Sequence, residues 1–264
     1  MEKEEEYIKL LRILLEIGEA NKGIPVGDDD RILDAEGLVL KFVGDAGSLL
    51  YLSRSTKLPE IGANFFDSPS INVIGRAAME TFLTFHYIFI APSSDEDKDF
   101  RYLSWQLAGL LERQSYSIRS LEGKKKLKKE MEYIKSLLSK INDNAIFKQL
   151  SIGEQKEIRK GKWRRLNWRE IAVSAGLSER HAKEFYSYLC EYAHSGNLSI
   201  LQFRQAENAE SQKDLFAATM SLVMITMANI IKSYCILFPK SQYVVDRNPE
   251  YVHLIDIWTY VGSN

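Results

Sequence analysis

Apolar residues along this chain recur every three to four positions, and no long run alternates apolar with polar residues. A repeat near 3.6 residues is typical of amphipathic α-helices, whereas strict alternation indicates β-strands. The pattern therefore predicts an all-α protein, built as a single bundle of seven to nine helices.

Three of the predicted helices have the widest apolar faces, and we expect them to form the centre of the bundle: residues 71–90, 179–193 and 215–238. Loops are expected where glycine, proline and small polar residues cluster, at residues 23–30, 55–68 and 196–210.

No repeat and no long linker divides the chain, so one domain is expected over residues 1–264. Its core would cover residues 65–240. Residues 1–64 would add N-terminal helices, and residues 241–264 would add a C-terminal helix.

The apolar run at residues 215–231 has no charged side chain, but it contains two threonines, a serine and an asparagine. A transmembrane helix needs about 20 apolar residues, so a buried core helix is expected instead. The N-terminal residues are acidic, unlike those of a signal peptide, and the net charge is only −1. These features predict a cytoplasmic protein with no membrane partner.

The sequence contains no motif typical of metal, nucleotide or serine-hydrolase chemistry. Cys190 and Cys235 lie in apolar helical segments without zinc-ligand spacing, which predicts buried thiols and no metal. The chain has no glycine-rich nucleotide loop and no serine-hydrolase elbow, so no cofactor is expected.

Two charged residues interrupt the oily helix predicted at residues 71–90. Arg76 and Glu80 are one turn apart, and their neighbours on that helix are apolar. Burying a charge is costly unless it is paired or used, so two interpretations remain open. The pair is either a structural ion pair or a site in which Arg76 binds an anion and Glu80 orients it.

His194 lies at the C-terminal end of the helix predicted at residues 179–193. The helix dipole favours a cationic imidazole there, so the ring is suited to donating a proton or contacting an anion. The alternative is that His194 only caps the last helix carbonyls. We predict that Arg76, Glu80 and His194 converge in one cleft, with Tyr188 or Tyr192 nearby.

These two helices resemble uncharacterised bacterial all-helical proteins related to the HEPN superfamily. The shared features are an Arg-x3-Glu pattern, here Arg76 and Glu80, and a Tyr-x2-Leu-(Ser/Cys)-x3-His pattern, here Tyr186, Leu189, Cys190 and His194. The resemblance covers roughly residues 65–240 and implies a HEPN-like core. Many HEPN proteins are metal-independent ribonucleases of toxin, phage-defence and CRISPR-linked systems, and they usually cut RNA across a homodimer interface.

This sequence departs from the HEPN ribonuclease pattern, in which an arginine precedes the histidine by a spacer of four to six residues. No arginine stands at that distance before His194. Arg247 and His253 have the spacing, but Pro249 is expected to start a helix between them. They are kept as an alternative catalytic pair, beside the preferred set of His194, Arg76, Glu80 and Tyr188.

A basic segment provides a second functional hypothesis. Seven cations face one acid, Glu157, over fourteen positions: Lys156, Arg159, Lys160, Lys162, Arg164, Arg165 and Arg169. Residues 168–185 that follow resemble a helix-turn-helix, with Gly176 at the turn. The chain is therefore expected to be either a HEPN-like RNA-targeting effector or a non-catalytic helical module that binds nucleic acid or a partner protein.

Overall fold

The structure is a computed structural model that describes residues 2–24 and 31–264. In chain order its elements are α1 (Glu2–Glu19), α2 (Arg31–Ser53), β1 (Thr56–Leu58), β2 (Ala63–Phe65), α3 (Ser68–Phe85), α4 (Asp95–Gln114), α5 (Leu121–Asp143), α6 (Ala145–Gln149), α7 (Ile152–Arg159), α8 (Trp168–Ser174), α9 (Glu179–Ala193), α10 (Asn197–Gln205), α11 (Ala209–Leu237), α12 (Pro239–Asp246) and α13 (Pro249–Ser263). A 3₁₀ turn at Pro59–Ile61 joins the two strands, and a π-helical turn at His86–Ile90 follows α3.

The all-α prediction is confirmed, although the number of helices differs. Within the part of the chain that the structure describes there are thirteen α-helices, against the seven to nine expected. Five of them, α6, α7, α8, α10 and α12, have only 5 to 9 residues. Helices this short complete too few turns for a 3.6-residue repeat to be recognised.

Two predicted loops contain regular structure. The loop expected at residues 55–68 is an antiparallel β-hairpin that pairs Thr56 with Phe65 and Leu58 with Ala63. The loop expected at residues 196–210 contains α10, whose apolar residues are spread around the helix instead of forming a stripe. Most of the break predicted at residues 23–30 lies outside the described residues.

The contacts within the chain separate it into two compact units. Unit 1 comprises residues 1–86 and 168–264, and unit 2 comprises residues 87–167. Compactness by itself does not define a folding domain, so the single-domain organisation stays a prediction.

Unit 1 is organised around α11, which packs against α1, α3 and α13. The close approach of α3 and α11 depends on Gly75, where a Cβ would overlap the Cγ2 of Thr219. Beside it, the buried Asn72 donates to the carbonyl of Leu215 at 3.1 Å and accepts from the hydroxyl of Thr219. A small residue and a satisfied polar pair therefore fix how α3 lies on α11.

One helix in the described part of the chain, α11, is long and apolar enough to cross a membrane by length and composition alone. In its most apolar window 67% of the residues are buried inside the protein, and core helices pass the same test. The buried position agrees with the core helix predicted from residues 215–231, while the cytoplasmic location stays a prediction.

Unit 2 contains α4 to α7 around an apolar core formed by Phe100, Leu107, Ile134, Leu137, Ile141, Phe147 and Ile158. A buried ion pair between Asp97 and Arg101 stands at its polar end, and Arg101 also donates to the carbonyl of Tyr87 at 3.0 Å. The hydroxyl of Tyr87 in turn accepts from the backbone N–H of Arg165 at 3.2 Å. The first residue of unit 2 is thereby tied to α4 and to the segment that leaves the unit.

Candidate functional site

The candidate site lies in unit 1, where α3 and α9 pack against each other. α9 is capped at its start by Ser178, whose hydroxyl accepts from the N–H of His181 at 3.2 Å, and at its end by His194. Arg76 and Glu80 occupy successive turns of α3. The packing of the two helices brings the end of α9 to the middle of α3.

The guanidinium of Arg76 is the centre of the cluster. Its Nε donates to Glu80 at 2.9 Å, and its NH1 lies 3.1 Å from the Nε2 of His194. Its NH2 donates to the hydroxyl of Tyr186 at 3.4 Å, and its Cζ lies 5.5 Å from the centroid of that ring. The structure therefore brings Arg76, Glu80 and His194 together, as the sequence predicted, and adds Tyr186.

Hydrogen-bond chemistry defines the state of the histidine in this arrangement. A guanidinium has only donors, so Nε2 of His194 accepts the hydrogen bond from Arg76 and carries no proton. The remaining proton of the neutral ring is then on Nδ1. In this state His194 presents a basic nitrogen directly beside a fixed positive charge.

Glu80 keeps the guanidinium charged and in place. Burial alone would lower the pKa of Arg76, but the hydrogen bond and charge of Glu80, with smaller contributions from Cys190 and Tyr186, raise it above its ordinary value. For Tyr186, burial is the main cause that raises the pKa of the hydroxyl, with Cys190 and Glu80 adding to it. The site therefore combines a cation, a neutral hydroxyl and an imidazole nitrogen that accepts a hydrogen bond from the cation.

Exposure differs across the cluster. The side chains of Arg76 and Glu80 are 20% and 30% exposed, whereas His194 is exposed to solvent. A ligand from solvent can therefore reach the imidazole and the outer edge of the guanidinium. The carboxylate of Glu80 orients the guanidinium by accepting from its Nε.

The residue after the histidine has an uncommon backbone conformation. Ser195 adopts φ of +52°, in the left-handed region where glycine is usual at a helix C-terminus. The N–H of Gly196 donates to the carbonyl of Glu191 at 2.7 Å, which completes a Schellman-type end to α9. A serine retained at such a position is a local strain of the kind that collects at functional sites.

Tyr188 and Tyr192 are not brought into the cluster. The hydroxyl of Tyr188 donates to the carbonyl of Leu215, and that of Tyr192 donates to Gln202 at 3.2 Å. Two residues along a helix correspond to a rotation of about 200°, so Tyr186 and Tyr188 project from nearly opposite faces of α9. The prediction named Tyr188 or Tyr192, whereas the spacing of Tyr186 and His194 in the Tyr-x2-Leu-Cys-x3-His pattern could have indicated Tyr186.

The alternative pair, Arg247 and His253, has no described contact between its side chains. Arg247 stands at the end of α12 and His253 lies within α13, with Pro249 starting the second helix as expected. Both side chains are exposed, and no hydrogen bond joins them among the contacts that the structure describes. They have the family spacing, and their role as a site stays a prediction.

The basic segment is partly engaged by neighbouring groups. Lys160 pairs with Glu157 at 3.0 Å, and Arg159 donates to Asn142 at 2.8 Å. Arg164 lies over the ring of Trp163 at 5.5 Å. The exposed cations of the segment in unit 2 that have neither an ion pair nor a side-chain hydrogen bond in the described contacts are Lys156, Lys162 and Arg165.

The predicted turn glycine of the helix-turn-helix resemblance has a left-handed backbone, but the second helix carries acidic side chains on its exposed side. Gly176 adopts φ of +95° between α8 and α9. On the exposed side of α9, Glu179 pairs with Arg169, and Arg180 pairs with Glu184 at 3.2 Å. These acids reduce the affinity of that face for phosphate.

Over the described residues, no group of three or more histidine, cysteine, aspartate or glutamate side chains is arranged to hold a metal ion. The groups gathered around Arg76 are suited to anion binding and proton transfer instead.

Comparison with known families gives one match. The model of the DUF5677 family, described as a family of unknown function, matches residues 63–212, which is more than half of the chain and includes all of α3 and α9. No curated protein and no solved structure matches the chain. The chain therefore belongs to the DUF5677 family.

Proposed function

We propose that this member of the DUF5677 family is a HEPN-like RNA-targeting effector that cleaves RNA without a metal ion, using the cluster around Arg76. The observation that carries the proposal is the contact between the guanidinium of Arg76 and Nε2 of the exposed His194, 118 residues apart in the sequence. Proton transfer by an imidazole and charge stabilisation by a guanidinium are the two functions that cleavage through the 2′-hydroxyl requires.

In the proposed reaction the scissile phosphate takes the place of His194 as the partner of Arg76 NH1. The freed Nε2 accepts the proton of the 2′-hydroxyl, and a bond forms between the 2′-oxygen and phosphorus. The bond from phosphorus to the 5′-oxygen breaks, and that oxygen takes a proton from water. The products are a 2′,3′-cyclic phosphate and a 5′-hydroxyl, and the imidazolium returns its proton to solvent.

Arg76 has the donors that this role requires. A guanidinium carries five N–H groups, and the contacts to Glu80, His194 and Tyr186 use three of them. The other two can bind a phosphate oxygen while Glu80 keeps its hydrogen bond. The hydroxyl of Tyr186, which its raised pKa keeps protonated, is a further donor to the phosphate.

The test is cleavage of a labelled single-stranded RNA in EDTA by the full chain and by His194→Ala. We expect wild-type activity with cyclic-phosphate ends, and a loss of roughly 10²- to 10⁴-fold in the variant, as for the removal of a general base. His253→Ala is the matched control because it removes another exposed histidine of unit 1. Helix content by circular dichroism checks that each variant is folded.

Three results would decide against the proposal as stated. Absence of cleavage by the wild-type chain removes the ribonuclease function. Equal activity of His194→Ala and wild type removes His194 from the reaction. Loss of activity in His253→Ala alone moves the site to Arg247 and His253.

A second candidate function is a non-catalytic module that binds nucleic acid or a partner protein. The observation that favours it is the exposure of Lys156, Lys162 and Arg165, which have no ion pair in the part of the chain that the structure describes. RNA binding without cleavage, weakened by salt and lost when these three residues are changed to glutamate, would support it.

The biological setting proposed for either function is the bacterial cytoplasm, in a defence or toxin-type system. The resemblance to HEPN proteins also supports a homodimer as the active form. Light scattering of the purified chain tests the dimer directly, and a monomer that cleaves RNA would remove that part of the proposal.

A further inference from the structure

The charge of this chain is divided unevenly between its two units. Residues 87–167 contain eighteen lysines and arginines against eleven aspartates and glutamates, a net charge of +7. The rest of the chain has seventeen against twenty-five, a net charge of −8, so the overall value of −1 conceals a basic unit. We propose that unit 2 binds the phosphodiester backbone of single-stranded nucleic acid along one flank of α5.

Three lysines on that flank form what we name the lysine ridge: Lys124, Lys128 and Lys135. All three are exposed, and at 100° per residue they lie within about 40° of one another around α5. The buried face of the helix, with Ile134, Leu137 and Ile141, points elsewhere. The ridge is therefore a line of cations parallel to the helix axis.

The ridge continues from α5 onto α7. Asn142 falls on the same line of α5 as the ridge, about 27 Å along the helix from Lys124. The guanidinium of Arg159 in α7 donates to its side chain at 2.8 and 3.2 Å. The ring of Phe147, 4.8 Å from the Cζ of Arg159, holds that guanidinium in place. One further cation, Lys156, lies on α7 and is exposed.

The ridge is not neutralised within the described contacts. No ion pair involves Lys124, Lys128 or Lys135, although Glu132 lies on the exposed side of α5 between the last two. By contrast, Glu130 on the buried side forms an ion pair with Arg113 at 2.7 Å. Glu130 is thus neutralised by Arg113, and the lysines of the ridge remain available to a ligand.

The chemistry of the ridge fits a phosphate chain better than a protein or a bilayer. Protein interfaces need buried apolar or aromatic anchors, and membrane surfaces need apolar side chains that insert. Along this flank the large exposed apolar side chains are Leu121, at 77% exposure, and Met131, at 42%, and the two are separated by about 15 Å along the helix. Exposed lysines at intervals of about 6 and 10 Å along a helix match repeated negative charges instead.

The test compares two triple variants of the full chain that remove equal charge from the same helix. Lys124→Gln, Lys128→Gln and Lys135→Gln remove the ridge. Lys126→Gln, Lys129→Gln and Lys140→Gln remove three exposed lysines about 150° around α5 and serve as the matched control. Both sets carry His194→Ala in addition, so that labelled RNA stays intact during the measurement.

Binding of a 20-nucleotide single-stranded RNA, and of DNA of the same sequence, is measured by fluorescence anisotropy over a series of salt concentrations. We expect the ridge variant to bind at least about tenfold more weakly. The slope of log K against log salt should also become shallower by about 2, since three phosphate contacts are lost and each contributes about 0.7 on a single strand. The control variant should keep that slope.

Equal weakening in both variants would overturn the proposal, because it would reflect net charge and not a surface. Unchanged binding of the ridge variant would overturn it as well, and so would binding to phosphatidylserine vesicles but not to nucleic acid. The proposal does not rest on catalysis. If the wild-type chain binds RNA through the ridge and leaves it uncut, the ribonuclease function fails while this surface stands.

Discussion

Replacing Arg101 with methionine is expected to destabilise unit 2 strongly. Its guanidinium donates to both carboxylate oxygens of Asp97, at 2.9 and 2.7 Å, and to the carbonyl of Tyr87 at 3.0 Å. It also lies 4.4 Å from the centroid of the Tyr87 ring. The side chains of Arg101 and Asp97 are only 15% and 7% exposed, so solvent cannot replace the lost partner.

The magnitude follows from the charge that is left behind. Removing one partner of a buried ion pair costs about 3–5 kcal/mol. The N–H of Ser93 still donates to Asp97 at 3.1 Å in the variant, so we expect a loss at the lower end of this range, about 3 kcal/mol of unfolding free energy. With a urea dependence of roughly 2 kcal/mol per molar, the unfolding midpoint should fall by about 1.5 M.

The loss should depend on pH in a defined direction. Burial acts to raise the pKa of Asp97, but the hydrogen bonds from Arg101 and Ser93 and the charge of Arg101 lower it overall. A carboxyl with a depressed folded-state pKa stabilises the protein above its unfolded value, near 3.9, and loses that contribution as the pH falls through the folded value. The difference between wild type and Arg101→Met should therefore narrow in acid.

Urea unfolding at pH 7 and at pH 3, followed by tryptophan fluorescence and circular dichroism, measures both effects. Arg180→Met is the matched control, because Arg180 forms an i,i+4 pair with Glu184 in which both side chains are more than 60% exposed. It should change stability by less than about 1 kcal/mol. Adding Asp97→Asn to Arg101→Met should recover part of the loss, because it removes the buried charge. A loss below about 1 kcal/mol in Arg101→Met, or no recovery in the double variant, would refute the reasoning.

Three further predictions concern unit 1. Ser195→Gly should stabilise the protein by about 1 kcal/mol, because glycine adopts the left-handed conformation without strain, and calorimetry should show a higher melting temperature. An unchanged melting temperature would mean that Ser195 carries no strain. Gly75→Ala should lower the free energy of unfolding by about 1–3 kcal/mol, measured in urea, because the new Cβ meets Cγ2 of Thr219. Adding Thr219→Ser should restore most of that stability, since serine keeps the hydroxyl but lacks the methyl group. Arg76→Ala should lower the free energy of unfolding by about 1–2 kcal/mol, because Glu80, with 30% of its side chain exposed, loses its partner. Arg76→Lys should be less destabilising than Arg76→Ala. An alanine variant as stable as wild type would contradict a structural contribution from the pair.

The long helices could be predicted from the sequence because each carries a full apolar repeat and recognisable ends. α9 begins and ends at the predicted residues, with the hydroxyl of Ser178 accepting from the N–H of His181 as a cap. The hairpin at residues 56–65 could not be predicted, because strands of three residues have too few positions to establish alternation. The division into two units was likewise hidden, since no linker composition marks either boundary.

The candidate site was predictable in its charges but not in its geometry. An arginine and a glutamate in an oily helix must find polar partners, and that requirement alone pointed from Arg76 and Glu80 to the nearest exposed polar group on a second apolar helix. Which tyrosine joins them depends on the rotation of α9 about its axis. That rotation is set by the buried face of α9, where Leu189 packs near Gly75 of α3, a residue far from α9 in the sequence.

The Arg–His spacing of the HEPN pattern does not by itself predict a contact between Arg247 and His253. On a continuous helix a spacer of five residues would place the two side chains about 240° apart, and here Pro249 starts a new helix between them. At the candidate site the arginine comes from α3 and the histidine from α9, so no spacing within one helix could reveal the pair. If His194→Ala abolishes cleavage, the requirement is for an arginine and a histidine in hydrogen-bond contact, whichever helices supply them.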